Sequence, residues 1–233
     1  MAAALLRGAA GAATVDAWRA AIDAHPAWRA RRPGADFDPQ ASSLRLRAVP
    51  ALDPVALARS LLSGAVGAWS RARLGGALAC AVDRCWVRRQ YAPARRPAGH
   101  AAHAWHQDGA LGFDFLGPDT PPPDALLRMV TCWVALTPCG RDAPGLELEK
   151  CGRDNLLTLA ALGDAAAHLA HDDATPWRPE LEAGDALLFD GGVVHRTHVT
   201  TEMARDRTSV ELRFLAAADR PARLGSDRFV VLH

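Results

Sequence analysis

The sequence predicts a mainly β fold with flanking helices, a double-stranded β-helix of the jelly-roll or cupin-like kind. Three observations carry that expectation. Apolar residues recur at helical spacing through the first third of the chain, and from about Ala77 they recur at every second residue. The alternating runs are short and separated by Gly, Pro and Asp turns, as in sandwiches and jelly rolls. With 233 residues, 49% of them hydrophobic and 23% charged, the chain can bury one sizeable core.

The elements follow in order. VDAWRAAIDAHPAWRARR places Val15, Trp18, Ala21 and Ile22 on one helical face, and Pro26 should end or kink that helix. RRPGADFDPQ is a turn-rich connector. Ser43 to Val49 alternates, with Leu44, Leu46 and Ala48 opposite Arg45 and Arg47, and is expected to be a strand. One long helix should then start at the N-cap Asp53 with Pro54 in its first turn. Its stripe is Leu57, Leu61, Ala65 and Trp69, and Gly75-Gly76 should end it. Strands are expected over Cys80–Pro93, Arg128–Cys139, PGLELEKC, GDALLFD and RTSVELRFLAA, with one helical interruption over Asn155–Asp173. Pro118–Asp124 reads as an exposed loop. The expected division is an extension over 1–76 packing on a jelly-roll core over 77–233, the two forming one structural domain.

Composition narrows the function classes. The formal net charge of +1 carries no polyanion signature, so no nucleic-acid partner is expected. There is no run of 18 apolar residues, so no membrane span is expected either. The N-terminal MAAALLRGAAGAA has Arg7 in its middle and no charged start, which does not read as a signal peptide. Five cysteines without a C-x-x-C pair read as buried thiols in a reducing, cytoplasmic setting. Lys150 is the only lysine; the remaining basic residues are arginines, the better fork for carboxylates.

The chemistry gathers around WHQDG. On a strand, residues i and i+2 point to the same side, so His106 and Asp108 project an imidazole and a carboxylate into one space. A chain with nine histidines throws up such a triplet by chance, and His171-Asp172-Asp173 is a second one, so the surroundings must decide. GDALLFDGGVVHRTHV supplies a hydrophobic strand and then His195. Two imidazoles and one carboxylate make the facial triad of non-haem Fe(II) sites, with coordination positions left open. His171 has no such companion and reads as a solvated helix end; His198 competes with His195 for the third place. RTSVELRF then aims Arg207, Ser209, Glu211 and Arg213 to one side, opposite the dry face of Val210, Leu212 and Phe214. A guanidinium fork with a hydroxyl suits a buried carboxylate, and a surface salt-bridge ladder would give the same pattern.

The ordered set WHQDG, CWVALTPCGRDAPGLELE, GDALLFDGGVVHRTHV and RTSVELRF resembles the phytanoyl-CoA dioxygenase-like branch of the Fe(II)/2-oxoglutarate oxygenases, from Ala77 to Ala217. The resemblance implies that His106, Asp108 and His195 are the iron ligands. It also implies that Arg207, assisted by Ser209, holds the distal carboxylate of 2-oxoglutarate. Phe189 to His195 matches the family's spacing to the distal histidine better than His198 does. The implied cofactor set is Fe(II), the co-substrate 2-oxoglutarate and O2. The implied activity is hydroxylation of a small-molecule metabolite with release of succinate and CO2.

Two departures matter. Where many relatives carry P-G-S-H, this chain reads LELEKCGRDN, so the family name does not give the substrate. Asp108 is a carboxylate and not Gly or Ala, so an open halide position is not expected. In the strand before the site, Cys85, Val87, Arg89 and Tyr91 share one face and Trp86, Arg88 and Gln90 the other. Alternation does not choose between these faces, so Tyr91, Gln90 or Arg89 is expected to contact 2-oxoglutarate or the substrate, with Tyr91 assigned to 2-oxoglutarate and Arg89 and Arg213 to the substrate; Gln107 points away and should be structural. The competing readings are a non-catalytic jelly-roll binding protein and a cupin-like metal-dependent hydrolase or isomerase.

Overall fold

A computed structural model describes residues 2–113, 120–163, 176–219 and 221–232. Two antiparallel sheets face one another. The larger runs β1 (Ala3–Leu6), β9 (Ala186–Asp190), β7 (Met129–Ala135), β11 (Arg207–Ala216), β5 (Trp86–Gln90), β3 (Ser43–Arg45) and β2 (Phe37–Asp38). β4 (Leu78–Ala81) also pairs with β11, and β12 (Phe229–Leu232) pairs with β4. The smaller sheet is β6 (His106–Gln107), β10 (Val193–His198) and β8 (Gly145–Gly152).

The alternation read from the sequence sorts two cores. Cys132, Val134, Val210, Leu212, Phe214 and Leu188 turn outward from the larger sheet into a core shared with helices α1 (Ala12–Asp23), α2 (Ala27–Ala30), α3 (Pro54–Leu62) and α4 (Ala65–Leu74). Trp133, Ala135, Leu187 and Phe189 turn inward and meet Leu146, Leu148 and Val193 of the smaller sheet. The site lies in this inner layer.

Several expectations change. The long helix is two, because the chain breaks at Ser63–Gly64 and α4 turns back on α3. A Cβ on Gly67 would lie 1.9 Å from the Leu62 carbonyl, so only glycine allows this approach. The buried face of α4 is Val66, Ser70 and Leu74; Ala65 of the expected stripe is exposed. The Asp53 cap stands as read, accepting from the Val55 and Ala56 amides. The Ser43–Val49 run keeps strand form only to Arg45, then tightens into a 3-10 turn. Cys80–Pro93 is two strands joined by a 3-10 turn over Val82–Arg84, because β4 pairs with β12 and β5 with β3.

The N-terminal segment is woven into the larger sheet. β1 pairs with β9 at the sheet edge, and β3 pairs with β5 nearer the other edge. Beyond β1, the Gly8 amide and Arg7 Nη1 both donate to the buried Asp185, and the Ala10 amide donates to the Gly184 carbonyl. Gly184 has φ +95, and a Cβ there would lie 2.3 Å from the Ala10 carbonyl. Gly184→Ala is therefore expected to cost about 2–4 kcal/mol through strain and lost docking. Thermal unfolding should show Tm lowered by roughly 5–10 °C. An unchanged Tm would mean the segment contributes little to stability.

Candidate metal centre

β6 and β10 place the two histidines directly opposite one another, in the register His195↔His106. Their rings are 4.2 Å apart between centroids. Each is held from behind by its own backbone. His106 Nδ1–H donates to the Ala104 carbonyl at 2.7 Å, and His195 Nδ1–H donates to the Val193 carbonyl at 3.0 Å. A carbonyl only accepts, so these bonds set the tautomer and leave both Nε2 lone pairs facing the cavity.

Asp108 lies one residue past β6, at the start of a 3-10 turn. Its convergence with His106 thus comes from that turn as well as from strand alternation. The Gly109 amide fixes the turn by donating to the Gly191 carbonyl at 2.9 Å. Asp108 Oδ1 is 3.8 Å from His106 Nε2, and Oδ2 is 3.9 Å from His195 Nε2. The three ligand atoms lie within 4.8 Å of one another, a span that one ion can bridge. Two neutral imidazole nitrogens and one carboxylate suit a borderline divalent metal with open positions.

The larger sheet secures the carboxylate. Thr131 Oγ1 donates to Asp108 Oδ2 at 2.5 Å, and Arg213 Nη2 donates to Oδ1 at 3.1 Å. Burial alone would raise the Asp108 carboxyl, but the Arg213 guanidinium and then the two histidines hold it well below the usual carboxylate range. Burial, with His106 adding to it, brings His195 down to about 4, so it presents a neutral ring.

Arg213 lines the cavity, where its Nε and Nη1 have no hydrogen-bond partner. Its Nη2 is shared between Asp108 and Glu211, at 3.0 Å from Glu211 Oε2. Glu211 Oε1 pairs in turn with Arg88 Nε at 2.6 Å, and Arg88 Nη1 reaches Ser43 Oγ at 2.7 Å and His103 Nε2 at 2.5 Å. A chain of ion pairs ending in a hydrogen bond therefore runs from the Asp108 carboxylate to His103. Against burial, Arg88 and Arg213 bring Glu211 down to about 2.

That pairing has a signed consequence. A carboxyl depressed in the folded state contributes stability that is complete above its unfolded value near 4.5 and is lost as pH falls towards 2. Glu211→Gln should be less stable at pH 7 yet lose about 3 kcal/mol less than wild type between those limits. Urea unfolding across that pH range checks it; parallel curves would contradict it.

Arg207 opens β11 and is buried. Its guanidinium sits 5.0 Å from the centre of the Trp133 ring, and Nη1 makes one long bond to the Gly145 carbonyl at 3.4 Å. Among the described residues no carboxylate is within ion-pair reach of it, and burial lowers it to about 10. Its Nε, Ser209 Oγ and Trp133 Nε1 are buried without a hydrogen-bond partner. Such orphaned donors are costly unless a ligand satisfies them, and this set fits a carboxylate.

The cavity between these groups has about 330 Å³ of empty space, counted out to its mouth. Its walls include Arg88, His103, Leu146, Phe189, Thr197 and Glu211 besides the residues above. Arg89 and Tyr91 are not among them. The register Ser209↔Arg88 and Arg207↔Gln90 turns Arg88 and Gln90 inward, so Arg89 faces the other way. Arg89 pairs with Asp23 and lies over Trp28, while Tyr91 packs edge-on against His100 and accepts from Arg31. These placements correct the contacts expected for both residues.

His198 falls on the outer face of β10, 3.9 Å from Glu147, in a cluster with Arg178 and Arg196. Gln107 points outward and ties down residues 155–157 through Asn155 O and the Leu157 amide. His171, Asp172 and Asp173 lie outside the described residues. Arg88, His103 and Thr131 were missed. Alternation grouped Arg88 with the face it occupies but gave no reason to choose that face, and His103 sits on an irregular segment with no period to read.

Comparison with known proteins agrees with this architecture. A family model described as phytanoyl-CoA dioxygenase (PhyH) matches residues 3–206. No curated protein sequence matches the chain. EctD from S. alaskensis with bound Fe is similar in structure, with TM-score 0.67 and 18% identity over 96% of this chain and 79% of that one. HygX from Streptomyces hygroscopicus, with nickel and 2-oxoglutarate bound, gives TM-score 0.60 and 15% identity over 93% of this chain and 84% of that one. The epimerase SnoN, in complex with Fe3+, alpha ketoglutarate and nogalamycin RO, gives TM-score 0.60 and 16% identity over 94% and 82%.

Proposed function

The chain belongs to the phytanoyl-CoA dioxygenase family, and from that premise we propose that it is an Fe(II)/2-oxoglutarate-dependent dioxygenase acting on a small-molecule metabolite. The observation that carries this reading is the convergence of His106, Asp108 and His195 within 4.8 Å, with both imidazoles locked in the ligating tautomer. Similar folds that hold iron, or nickel with 2-oxoglutarate, support the same assignment. The reaction proposed is hydroxylation with release of succinate and CO2, although one similar protein is named an epimerase and another a carbocyclase.

His106, Asp108 and His195 would hold Fe(II), and Arg207 with Ser209 would receive the distal carboxylate of 2-oxoglutarate. Bound there, the metal and co-substrate would supply the activation of O2. The chain's own residues do the rest. Thr131 and Arg213 fix the Asp108 carboxylate, so its orientation does not drift when a substrate arrives. Trp133, Leu146 and Phe189 give the chamber apolar walls that exclude water from the reacting centre. Arg207 meets a carboxylate with a charge it cannot spend elsewhere in the cavity.

Anaerobic titration tests the reading. Fe(II) and 2-oxoglutarate together should give the weak visible charge-transfer band of a chelated complex. A wild-type protein without that band, or His106→Ala with an undiminished one, would overturn the assignment. Metal-dependent turnover without 2-oxoglutarate would instead mark a hydrolase or isomerase.

A further inference from the structure

Residues 97–105 link β5 to β6 across one end of the cavity. The segment is tied at two points: the Ala101 amide donates to the Gln40 carbonyl, in the turn between β2 and β3, at 2.9 Å, and the Thr197 amide of β10 donates to the His103 carbonyl at 3.0 Å. His103 turns inward from it and lines the cavity beside Arg88, its ring 5.6 Å from that of His106.

The bond from Arg88 decides what His103 offers. A guanidinium has donors only, so His103 Nε2, at 2.5 Å from Arg88 Nη1, must accept. The ring proton is then on Nδ1. That atom makes no hydrogen bond to any described residue, and it is not among the buried polar atoms sealed from solvent. It is an N–H of fixed tautomer, open to solvent, on a residue that lines the cavity.

Charge supplies the second strand. Three guanidiniums, Arg88, Arg207 and Arg213, face two carboxylates, Asp108 and Glu211, around the cavity. Fe(II) and 2-oxoglutarate have opposite charges of equal size, so loading the site leaves the surplus of one positive charge in place. With Arg207 taken by 2-oxoglutarate and Asp108 by the metal, the surplus falls on Arg88 and Arg213, which share Glu211. Arg213 Nε and Nη1 are also without partners. An enclosed charge of this kind favours a ligand that cancels it.

We infer that the substrate carries a carboxylate, received by His103 Nδ1–H and backed by the positive charge of Arg88. The inference rests on the iron and 2-oxoglutarate reading and names the substrate class of that site. His103 is then a specificity-determining residue, and its proton stays on Nδ1 throughout; no bond to it is made or broken.

The test uses the anaerobic Fe(II)- and 2-oxoglutarate-loaded protein, with butanoate, pentanoate and hexanoate as probes against their primary amides. Formation of the charge-transfer band, before any probe is added, reports on the site reading alone; without it that reading and this inference both fall. The acids should perturb the band with half-saturation at least tenfold lower than the amides. His103→Phe should keep the band and raise the half-saturation for the acids by about tenfold, as for loss of one hydrogen bond to a charged group. His103→Asn, whose amide N–H can stand near the Nδ1 position, should recover part of that loss. Equal response to acids and amides, response to neither, acids that erase the band by displacing 2-oxoglutarate, or His103→Phe without effect would each overturn the proposal.

Discussion

Asp108→Ala should cost the protein both its metal and a large part of its stability. The metal loss follows from removing the only carboxylate of the cluster, and at least a hundredfold weaker Fe(II) binding is expected, beyond the ~10–100-fold typical of outer partners. The stability loss has a separate cause. Arg213 is buried, and Asp108 is one of its two carboxylate partners. Removing one side of a buried pair strands the other, at about 3–5 kcal/mol, and the remaining bond to Glu211 places this case near the low end. The metal-free protein should lose roughly 6–12 °C in Tm. His106→Ala is the control. It removes a ligand whose side chain is 36% exposed and strands no charge, so it should lose iron at nearly unchanged metal-free Tm. If the two variants unfold alike without metal, the Arg213 pairing is not what stabilises this wall.

Arg207→Met should weaken 2-oxoglutarate binding while stabilising the empty protein. The 2-oxoglutarate requirement should rise by about a hundredfold, within the 2–5 kcal/mol lost on truncating one member of a buried charged pair. The iron requirement should stay within a factor of about two, since Arg207 touches no metal ligand. The metal-free, co-substrate-free protein should become more stable. A guanidinium brought to about 10 by burial is charged at neutral pH at a cost of about 3 kcal/mol, partly offset by its stacking on Trp133. A net gain of about 1–2 kcal/mol corresponds to a rise of roughly 2–8 °C in Tm. Equal effects on iron and 2-oxoglutarate, or a drop in Tm, would show that Arg207 is structural.

The parts legible in the sequence are those with a local period. RTSVELRF declares its two faces by alternation alone, and the register with β7 and β5 puts Arg207, Ser209, Glu211 and Arg213 on the cavity side together. WHQDG and the strand leading to His195 are legible because each ligand follows its own short motif. Alternation cannot say which face of an isolated strand looks inward, so it leaves Tyr91, Gln90 and Arg89 all open, and of this strand it is Arg88 that lines the cavity. That choice is made by the pairing Ser209↔Arg88, between residues far apart in the chain. β1 was illegible for a related reason. Ala3-Ala4-Leu5-Leu6 has apolar side chains on both faces, and only β9, distant in sequence, makes it a strand. The break between α3 and α4 had a signal in Gly64, but the regular stripe on either side of it hid a change of direction.

The short bonds from His106 to the Ala104 carbonyl and from His195 to the Val193 carbonyl each reach back two residues along the chain. Neither imidazole depends on the other, or on an ion, to hold its orientation. Capture of Fe(II) should therefore be a single bimolecular encounter. Its observed rate should climb in proportion to iron concentration without reaching a plateau, because no slower rearrangement waits behind the collision.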